Sequence, residues 1–191
     1  YDVVKMDCAI NVAWYVLSDG TVLAGGRTNV YGIGNHWTAT VFSDISNVVD
    51  VTMGLNTVAF LLSDSTVWGL SHSGIPTFQS GTPMTWPALV DISQLGHTNG
   101  HVTHHVFIRK DGTLVTLGVN NDGQLGLGHS NSVTGAQEVP ASLMSDVAVA
   151  HAGREVTVAV KHDGTAWGVG ANEAANLGLG HNSTPVLAWT Q

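Results

Sequence analysis

The chain has one cysteine, Cys8, and few charged side chains. Charged residues make up 10% of its 191 residues, well below the average for soluble domains. A single cysteine excludes an intrachain disulfide and a zinc site built on several cysteines. Surfaces with so little charge are more usual in extracellular and virion proteins than in cytosolic ones. We therefore expect a location outside the cell or on the surface of a virus particle.

Basic residues and long apolar runs are also scarce. Lysine and arginine together number 6 against 14 acidic residues, and the formal net charge is −8. Because nucleic-acid binding requires clustered basic side chains, we expect no nucleic-acid partner. No apolar run reaches the roughly 18 residues that a membrane span needs, so we expect no membrane insertion. The chain begins at Tyr1 without a signal-like segment, which predicts a processed product or an excised piece.

One turn recurs through the sequence, with an apolar run on each side of it. Its four copies are Ser18-Asp19-Gly20-Thr21, Ser63-Asp64-Ser65-Thr66, Lys110-Asp111-Gly112-Thr113 and His162-Asp163-Gly164-Thr165. The aspartates are 45, 47 and 52 residues apart, which is the signature of a repeat protein. Counting from Asp163 to the last residue and on from Tyr1 to Asp19 gives 47 more, so we count four whole repeats. We place them in one domain, 1–191, with approximate bounds 1–47, 48–94, 95–146 and 147–191.

Each turn separates two segments of strand length. The segments before the turns are apolar on both faces: Val12–Leu17, Thr57–Leu62, His104–Arg109 and Val156–Lys161. Their β-branched and aromatic residues predict strands that are covered on both sides over most of their length. Asp-Gly supplies the positive φ of a tight hairpin, so the second turn is weaker because Ser65 replaces glycine there. Apolar segments at 3–6, 48–51 and 147–149 predict further strands, giving three or four per repeat.

The third repeat carries the clearest motif. It reads Asp111-Gly112-Thr113-Leu114-Val115-Thr116-Leu117-Gly118-Val119-Asn120-Asn121-Asp122-Gly123-Gln124-Leu125-Gly126-Leu127-Gly128. This motif resembles the repeat of the regulator of chromosome condensation and its relatives. The fourth repeat is similar from Asp163 to Gly180, the first is shortened, and the second lacks the Gly-Gln-Leu-Gly element. The resemblance implies an all-β fold, a β-propeller whose blades are small antiparallel sheets packed around an axis.

The number of repeats leaves the arrangement of the blades open. Known members of this family commonly close with about seven blades, within the range seen for propellers. The four repeats could form a closed four-bladed ring, a two-chain ring, or part of a larger propeller. The whole-number phasing favours a unit that closes, with residues 185–189 supplying the strand that precedes Val3. The chromatin and nucleotide-exchange activities of the founding member are not carried over, because only scaffold residues match.

Histidines are the first candidates for chemistry. Four of them lie within nine residues: His97, His101, His104 and His105. Such a group could suggest a metal site, but His104 and His105 face opposite sides of a strand, which favours packing within the blade. His129 and His181 follow Gly-Leu-Gly elements and His36 lies similarly, which predicts structural caps on turns. We expect no metal and no cofactor.

No acidic residue stands out as catalytic. The glutamates are Glu138, Glu155 and Glu173. The four turn aspartates are explained by a structural role in their hairpins. The sequence contains no Gly-x-Ser-x-Gly elbow and no phosphate-binding loop with Lys-Ser/Thr. We therefore expect no catalytic residues and no enzyme activity.

The degenerate second repeat gives the strongest indication of a binding site. Phe78, Met84 and Trp86 follow His72 in a segment rich in proline, glycine and threonine. Exposed aromatic side chains in such a setting suit protein contacts and also stack on sugar rings. Trp86 could instead begin the outer strand of the next blade and pack inward. Trp37, after the shortened loop of repeat one, is a second aromatic without an obvious scaffold role.

Together these features predict a non-enzymatic binding module that recognises a cell-surface glycan or protein through propeller loops. The predicted ligand-binding residues are Trp86, Phe78, Met84, His72 and Trp37. One alternative is a structural assembly module of a filament, phage fibre or capsid, in which copies of the chain form a homo-oligomer or a larger assembly. A further alternative is an intracellular protein-interaction scaffold of the same repeat family, which the charge disfavours.

Overall fold

In the computed structural model the chain is built from β-strands joined by turns and loops. The structure describes residues 2–9, 11–27, 35–55, 57–71, 89–98 and 102–191, and these residues form sixteen strands. In chain order the strands are β1 (Val3–Ala9), β2 (Val12–Leu17), β3 (Val22–Gly26), β4 (His36–Phe42), β5 (Val48–Met53), β6 (Thr57–Leu62), β7 (Val67–Ser71), β8 (Ile92–Leu95), β9 (His97–Thr98), β10 (His104–Arg109), β11 (Leu114–Gly118), β12 (Gln137–Glu138), β13 (Val147–Ala152), β14 (Val156–Lys161), β15 (Ala166–Gly170) and β16 (Val186–Thr190). Within the described ranges, no helix is long and apolar enough to cross a membrane.

The strands form four sheets, which are the blades. Blade one has the strand order β1, β2, β3, β4, and blade two has the order β5, β6, β7. Blade three has the order β8, β10, β11, β12, and blade four runs from β13 to β16, with the short strand β9 added in parallel to β13. Each blade therefore starts with an inner strand and continues outward along the chain. The predicted all-β fold with propeller-like blades is confirmed.

The recurring turn forms the hairpin between the second and third strands of each blade. Its aspartate accepts a hydrogen bond from the threonine N–H two residues later, at 2.8 to 3.0 Å in the four copies. Gly20, Gly112 and Gly164 have φ of 81°, 77° and 85°, a region that glycine enters without steric cost. Ser65 has φ of 71° at the same place, so the second turn is strained, in agreement with the weaker turn that the sequence predicts.

Each blade has two faces, which we name from the strand before the hairpin. The forward face carries Trp14 and Val16 in blade one, and the opposite, rear face carries Tyr15; equivalent positions define the faces of the other blades. The forward face of blade one packs on the rear face of blade two, where the centroids of the Trp14 and Phe60 rings lie 5.1 Å apart, edge to face. Trp14 meets Phe42 in the same way at 5.4 Å. These buried rings form the core between the first two blades.

The same forward-to-rear packing joins the remaining blades. Ala59 and Leu61, on the forward face of blade two, share a buried cluster with Phe107 on the rear face of blade three. Ile108, on the forward face of blade three, shares a cluster with Ala159 on the rear face of blade four. Coverage on both sides is therefore confirmed for β6 and β10, the second strands of the two inner blades.

The two outermost faces are open instead. Val158 and Val160, on the forward face of blade four, are 41% and 36% exposed, and Met6 and Val41, on the rear face of blade one, are 73% and 54% exposed. Coverage on both sides is thus wrong for β14. Among the described residues, no buried cluster joins blade four to blade one. The blades form an open arc, so of the three arrangements the closed four-bladed ring is wrong.

Two strands differ from what the sequence predicts. The sequence predicts residues 185–189 beside Val3, but β16 is the outer strand of blade four and pairs with β15. The sequence pattern missed β8, the inner strand of blade three, because its four residues Ile-Ser-Gln-Leu include two polar ones. This strand crosses the approximate repeat boundary between residues 94 and 95 and belongs to the sheet of blade three.

Replacing Ser65 by glycine should stabilise the protein. Because Ser65 holds a positive φ that glycine adopts freely, we expect Ser65→Gly to raise the free energy of unfolding by about 1 kcal/mol. Ser63→Gly, two residues earlier, is the matched control, and the added backbone freedom should lower stability there by about 0.5 kcal/mol. Chemical denaturation of both variants measures the difference. A Ser65→Gly protein no more stable than the wild type would contradict strain in this turn.

Candidate functional site at the blade axis

Inner strands from blades one, two and four meet β9 in a polar group that we call the axial cluster. Its members are Asp7 on β1, Thr52 on β5, His97 and Thr98 on β9, and His151 on β13. Asp7 Oδ2 accepts a hydrogen bond from the Met53 backbone N–H at 2.8 Å. Thr52 Oγ1 donates to the Gly96 carbonyl at 3.2 Å, and Thr98 Oγ1 donates to the Met53 carbonyl. These bonds tie β5 to β1 on one side and to residues 96–98 on the other.

Burial and nearby charge shift the pKa of two groups in the axial cluster. Burial raises the pKa of Asp7, while N–H groups from Met53 and Cys8 and the charge of His97 act in the opposite direction. The rings of His97 and His151 have centroids 5.2 Å apart, and partial burial together with His97 lowers the pKa of His151. Both histidines are exposed. The axial cluster therefore offers the imidazole rings of His97 and His151 to a partner as hydrogen-bonding groups.

Two adjacent histidines of blade three form hydrogen bonds to the blades on either side of it. His104 and His105 are buried and point to opposite faces of β10. His105 Nε2 lies 2.6 Å from the Thr57 hydroxyl of blade two, and His104 Nε2 lies 2.8 Å from the Thr157 hydroxyl of blade four. The Thr157 hydroxyl donates to the Gln124 carbonyl at 2.6 Å, so the hydrogen between His104 and Thr157 belongs to the ring. Burial lowers the pKa of His104 to about 3 and that of His105 to about 4, which keeps both rings neutral at pH 7.

The four clustered histidines of the sequence do not converge. His97 belongs to the axial cluster, His104 and His105 bind threonines on opposite faces of a blade, and His101 lies outside the described residues. In the part of the chain that the structure describes, no three His, Cys, Asp or Glu side chains form a group that could hold a metal ion. The packing interpretation of His104 and His105 is confirmed.

Two of the three predicted turn caps are present. His129 Nδ1 accepts a hydrogen bond from the Asn131 N–H, and His181 Nδ1 accepts one from the Ser183 N–H, each at 3.2 Å. His36 begins β4 and pairs with β3, and the residues before it, 28–34, lie outside the described part of the chain, so its cap stays a prediction. In the hairpins, hydrogen bonds from threonine lower the pKa of all four turn aspartates, which confirms that these acids hold the turns.

Of the predicted ligand-binding residues, the structure describes Trp37, which lies on β4 and is 91% exposed. His72, Phe78, Met84 and Trp86 lie outside the described residues, and their roles stay predictions. The strand that leads into this segment, β7, ends where β3 and β11 end in their own blades. Because neighbouring strands in a blade are antiparallel, the connections that follow the inner strands also lie at this end. We call it the loop end, and the opposite end the hairpin end.

Sequence reasoning missed the axial cluster. Asp7, Thr52 and His151 each lie 12 residues before the aspartate of their turn. A polar residue therefore recurs at one position of these mainly apolar inner strands. That recurrence is the signal by which the cluster could have been found.

The blades and their joints define a repeat protein of the β-propeller class. No protein-family model matches the chain. The Ultraviolet-B receptor UVR8 of Arabidopsis thaliana is 30% identical to it over 146 residues, which cover 72% of this chain and 32% of the receptor. With the recurring motif, this likeness shows that the chain belongs to the family of β-propellers built from regulator-of-chromosome-condensation-like repeats.

Two solved structures share the fold. Prp20p from Saccharomyces cerevisiae has a TM-score of 0.80 and 17% identity, covering 100% of this chain and 50% of that protein. Human WBSCR16 has a TM-score of 0.78 and 18% identity, covering 99% and 53%. The chain thus spans about half the length of these structures and about a third of UVR8, at 32%. The structure of Prp20p was described together with its binding properties to Gsp1p and histones.

The buried histidines should make the protein less stable in weak acid. Their pKa values of about 3 and 4 in the folded chain lie below the ordinary value of 6.5, so the unfolded chain takes up more protons as the pH falls below 6.5. The contribution of the two neutral histidines to the free energy of unfolding is complete above pH 6.5. It is lost as the pH falls towards their pKa values in the folded chain. We expect the free energy of unfolding to fall by roughly 1 kcal/mol per pH unit for each histidine between about pH 6 and pH 5.

The variant His104→Gln separates this effect from other titrations. The glutamine amide can still donate to Thr157 but does not titrate. The free energy of unfolding should therefore fall less steeply with decreasing pH, by the share of one histidine, about 1 kcal/mol per pH unit. His162→Gln is the control, because the His162 side chain is 64% exposed at the hairpin end. Denaturant unfolding at several pH values measures the slopes. Equal slopes for His104→Gln and the wild type would contradict a neutral, buried His104.

Proposed function

We propose that the chain is a non-enzymatic binding module that recognises a protein through the loop end of its blades. The observation that carries this proposal is that the long connections of the blades leave from one end of the arc. After the third strand of each blade these connections are 27–35, 72–91, 119–136 and 171–185. They differ in length and sequence, whereas the hairpin end repeats one tight turn. Specificity in repeat proteins lies in such variable loops on a constant scaffold.

The likeness to Prp20p supports a protein as the partner. Prp20p has binding properties to Gsp1p and histones, and its blades match this chain over its whole length. Phe78, Met84 and Trp86 would supply the large apolar anchors that protein contacts favour. The low charge of the chain supports a contact that depends little on ion pairs, and therefore little on salt.

The polar groups of the described residues support binding rather than catalysis. The turn aspartates hold hairpins, and His104 and His105 hold neighbouring blades. Both carboxylate oxygens of Asp7 accept hydrogen bonds from backbone N–H groups, those of Cys8 and Met53. The low charge of the surface supports placing this module outside the cell or on a virion, which remains part of the proposal.

Trp86→Ala should weaken partner binding by about tenfold or more, as removal of a central aromatic anchor does. Ser63→Ala, at an exposed position of the second hairpin, should leave it unchanged. The measurement is capture with the tagged wild-type chain, followed by titration of the purified, identified partner with all three proteins. Equal binding by Trp86→Ala and the wild type would contradict a contact at the loop end.

A glycan array probed with the same proteins decides the chemical class of the ligand. We expect no selective glycan binding, since the proposed contact is with a protein. Selective binding by the wild type that Trp86→Ala abolishes would replace the protein with a sugar ligand. No saturable binding of either class would contradict the proposed function.

A further inference from the structure

Two apolar blade faces of this chain are open, and they correspond to the two halves of one joint. The forward face of blade four exposes Val158, Val160 and Ala166 beside Leu177, and the rear face of blade one exposes Met6, Trp37 and Val41 around the buried Leu23. At the three joints within the arc, a forward face always packs on the rear face of the next blade. Each copy of the chain therefore carries one open face of each kind.

One mark of a joint is a backbone hydrogen bond from an inner strand to the hairpin of the preceding blade. The N–H of Val48 donates to the Gly20 carbonyl at 3.2 Å, that of Ile92 to Ser65 at 2.9 Å, and that of Val147 to Gly112 at 3.0 Å. Val3 has the register of Val48, because each pairs with the last residue of the second strand of its blade. The N–H of Val3 is therefore the equivalent donor in blade one.

The equivalent acceptor lies in the fourth hairpin. A Cβ added to Gly20 would lie 2.9 Å from Asn47, which leads into the next blade, and one added to Gly112 would lie 3.1 Å from Asp146. Gly164 occupies the same place in blade four, and no atom of the described residues lies within 4 Å of its Cβ position. The fourth hairpin thus has the geometry of the others and lacks the neighbour that the others have.

At the joint between blades three and four, the outer strand of blade four also covers the loop of blade three. Trp189 on β16 donates its ring N–H to the Gly126 carbonyl at 3.1 Å, and Leu187 lies against Gly123. In blade four the matching Gly178 has no neighbour within 4 Å of its Cβ position among the described residues. The open joint therefore exposes this loop as well.

Trp37 is placed to cover such a loop. On β4, His36 pairs with Gly26 and Thr40 with Ala24, and on β16, Val186 pairs with Gly170 and Thr190 with Gly168. The two outer strands share this bulged register, so Trp37 has the position of Leu187. Its 91% exposure is then that of a joint residue without its neighbouring blade.

We propose that two copies of this chain close one ring of eight blades, with the forward face of blade four in each copy packed on the rear face of blade one in the other. The two new joints are related by a two-fold axis along the centre of the ring, so the assembly closes with no face left open. Propellers of about four to eight blades are known, so this number is within their range. The arc matches 50% of Prp20p, so two arcs supply about the content of one larger propeller.

A second copy fits these faces better than an unrelated partner. Its rear face would present to blade four the strand register and the Val3 donor that Val48 and Val147 present within the arc. Its Trp37 would cover the exposed loop at Gly178, as Leu187 and Trp189 cover the loop of blade three. Both faces are apolar, so the contact is driven by burial of apolar surface rather than by ion pairs.

Sedimentation velocity of the 191-residue chain over a range of concentrations tests the ring. We expect the wild type to sediment as a dimer. Val158→Glu and Met6→Lys should each weaken dimerisation by about a hundredfold or more, because each places an unpaired charge in an apolar joint. Both positions are exposed in the single chain, so circular dichroism and thermal unfolding should show folded monomers. Val90→Glu, at an exposed valine outside both faces, is the matched control and should remain a dimer.

Mixing the two charged variants identifies which faces meet. In a heterodimer of Val158→Glu and Met6→Lys, one joint is unchanged and the other brings opposite charges together, so the equal mixture should recover dimers. A monomeric wild type would overturn the proposal, because the open faces would then not recognise each other. Open polymers larger than the dimer would overturn ring closure. A dimer that both variants retain, or a mixture that stays monomeric, would overturn the pairing of these faces.

Discussion

Forward-to-rear packing between blades is the contact on which the rest of the structure depends. A blade of three or four strands has two apolar faces and buries neither of them alone. Trp14, Phe42 and Phe60 fill the first joint with edge-to-face rings. The second and third joints each hold one buried aromatic side chain, Phe107 and Trp189, among aliphatic residues. Stability in such an array is approximately a sum of terms for each repeat and for each joint. Blades two and three, with a joint on each side, are therefore the best held, and the outer blades are the least.

The hydrogen bonds of His104 and His105 fix the register of this apolar packing. Apolar faces slide easily past one another, whereas the bonds from His105 to Thr57 and from His104 to Thr157 form at one register of the blades. Breaking either bond would leave a buried polar group without its partner, which costs more than the bond contributes when made. Blade three thereby sets the position of both neighbours. The hydrogen bonds of Asp7 and Thr52 fix the register of the inner strands in the same way.

The sequence predicts what is local and periodic, and it fails where non-local contacts decide. The hairpins, their aspartates and the strain at Ser65 follow from short-range chemistry, and the structure confirms them. Whether the forward face of β14 is covered depends on the presence of a neighbouring blade. The alternation of Val158 and Val160 in the sequence is the same whether or not such a blade is present. β8 escaped detection because its burial comes from the adjacent blades rather than from its composition. Of the predicted ligand-binding residues, Trp37 alone lies in the described part of the chain, and its exposure has two different explanations.

Those two explanations of Trp37 have different consequences for binding. A ligand-binding Trp37 would act with the segment 72–88, although the whole of blade two separates them in sequence. In a two-copy ring, Trp37 instead covers the loop of the other copy and leaves the ligand to the remaining loops. The two-fold axis of that ring runs along the propeller axis, so both loop ends face the same way. Two identical loop sets on one surface can engage a repeated or multimeric partner together, and linked binding of this kind exceeds the affinity of either site alone. Closure of the ring would then set the strength of binding as well as the stability of the fold.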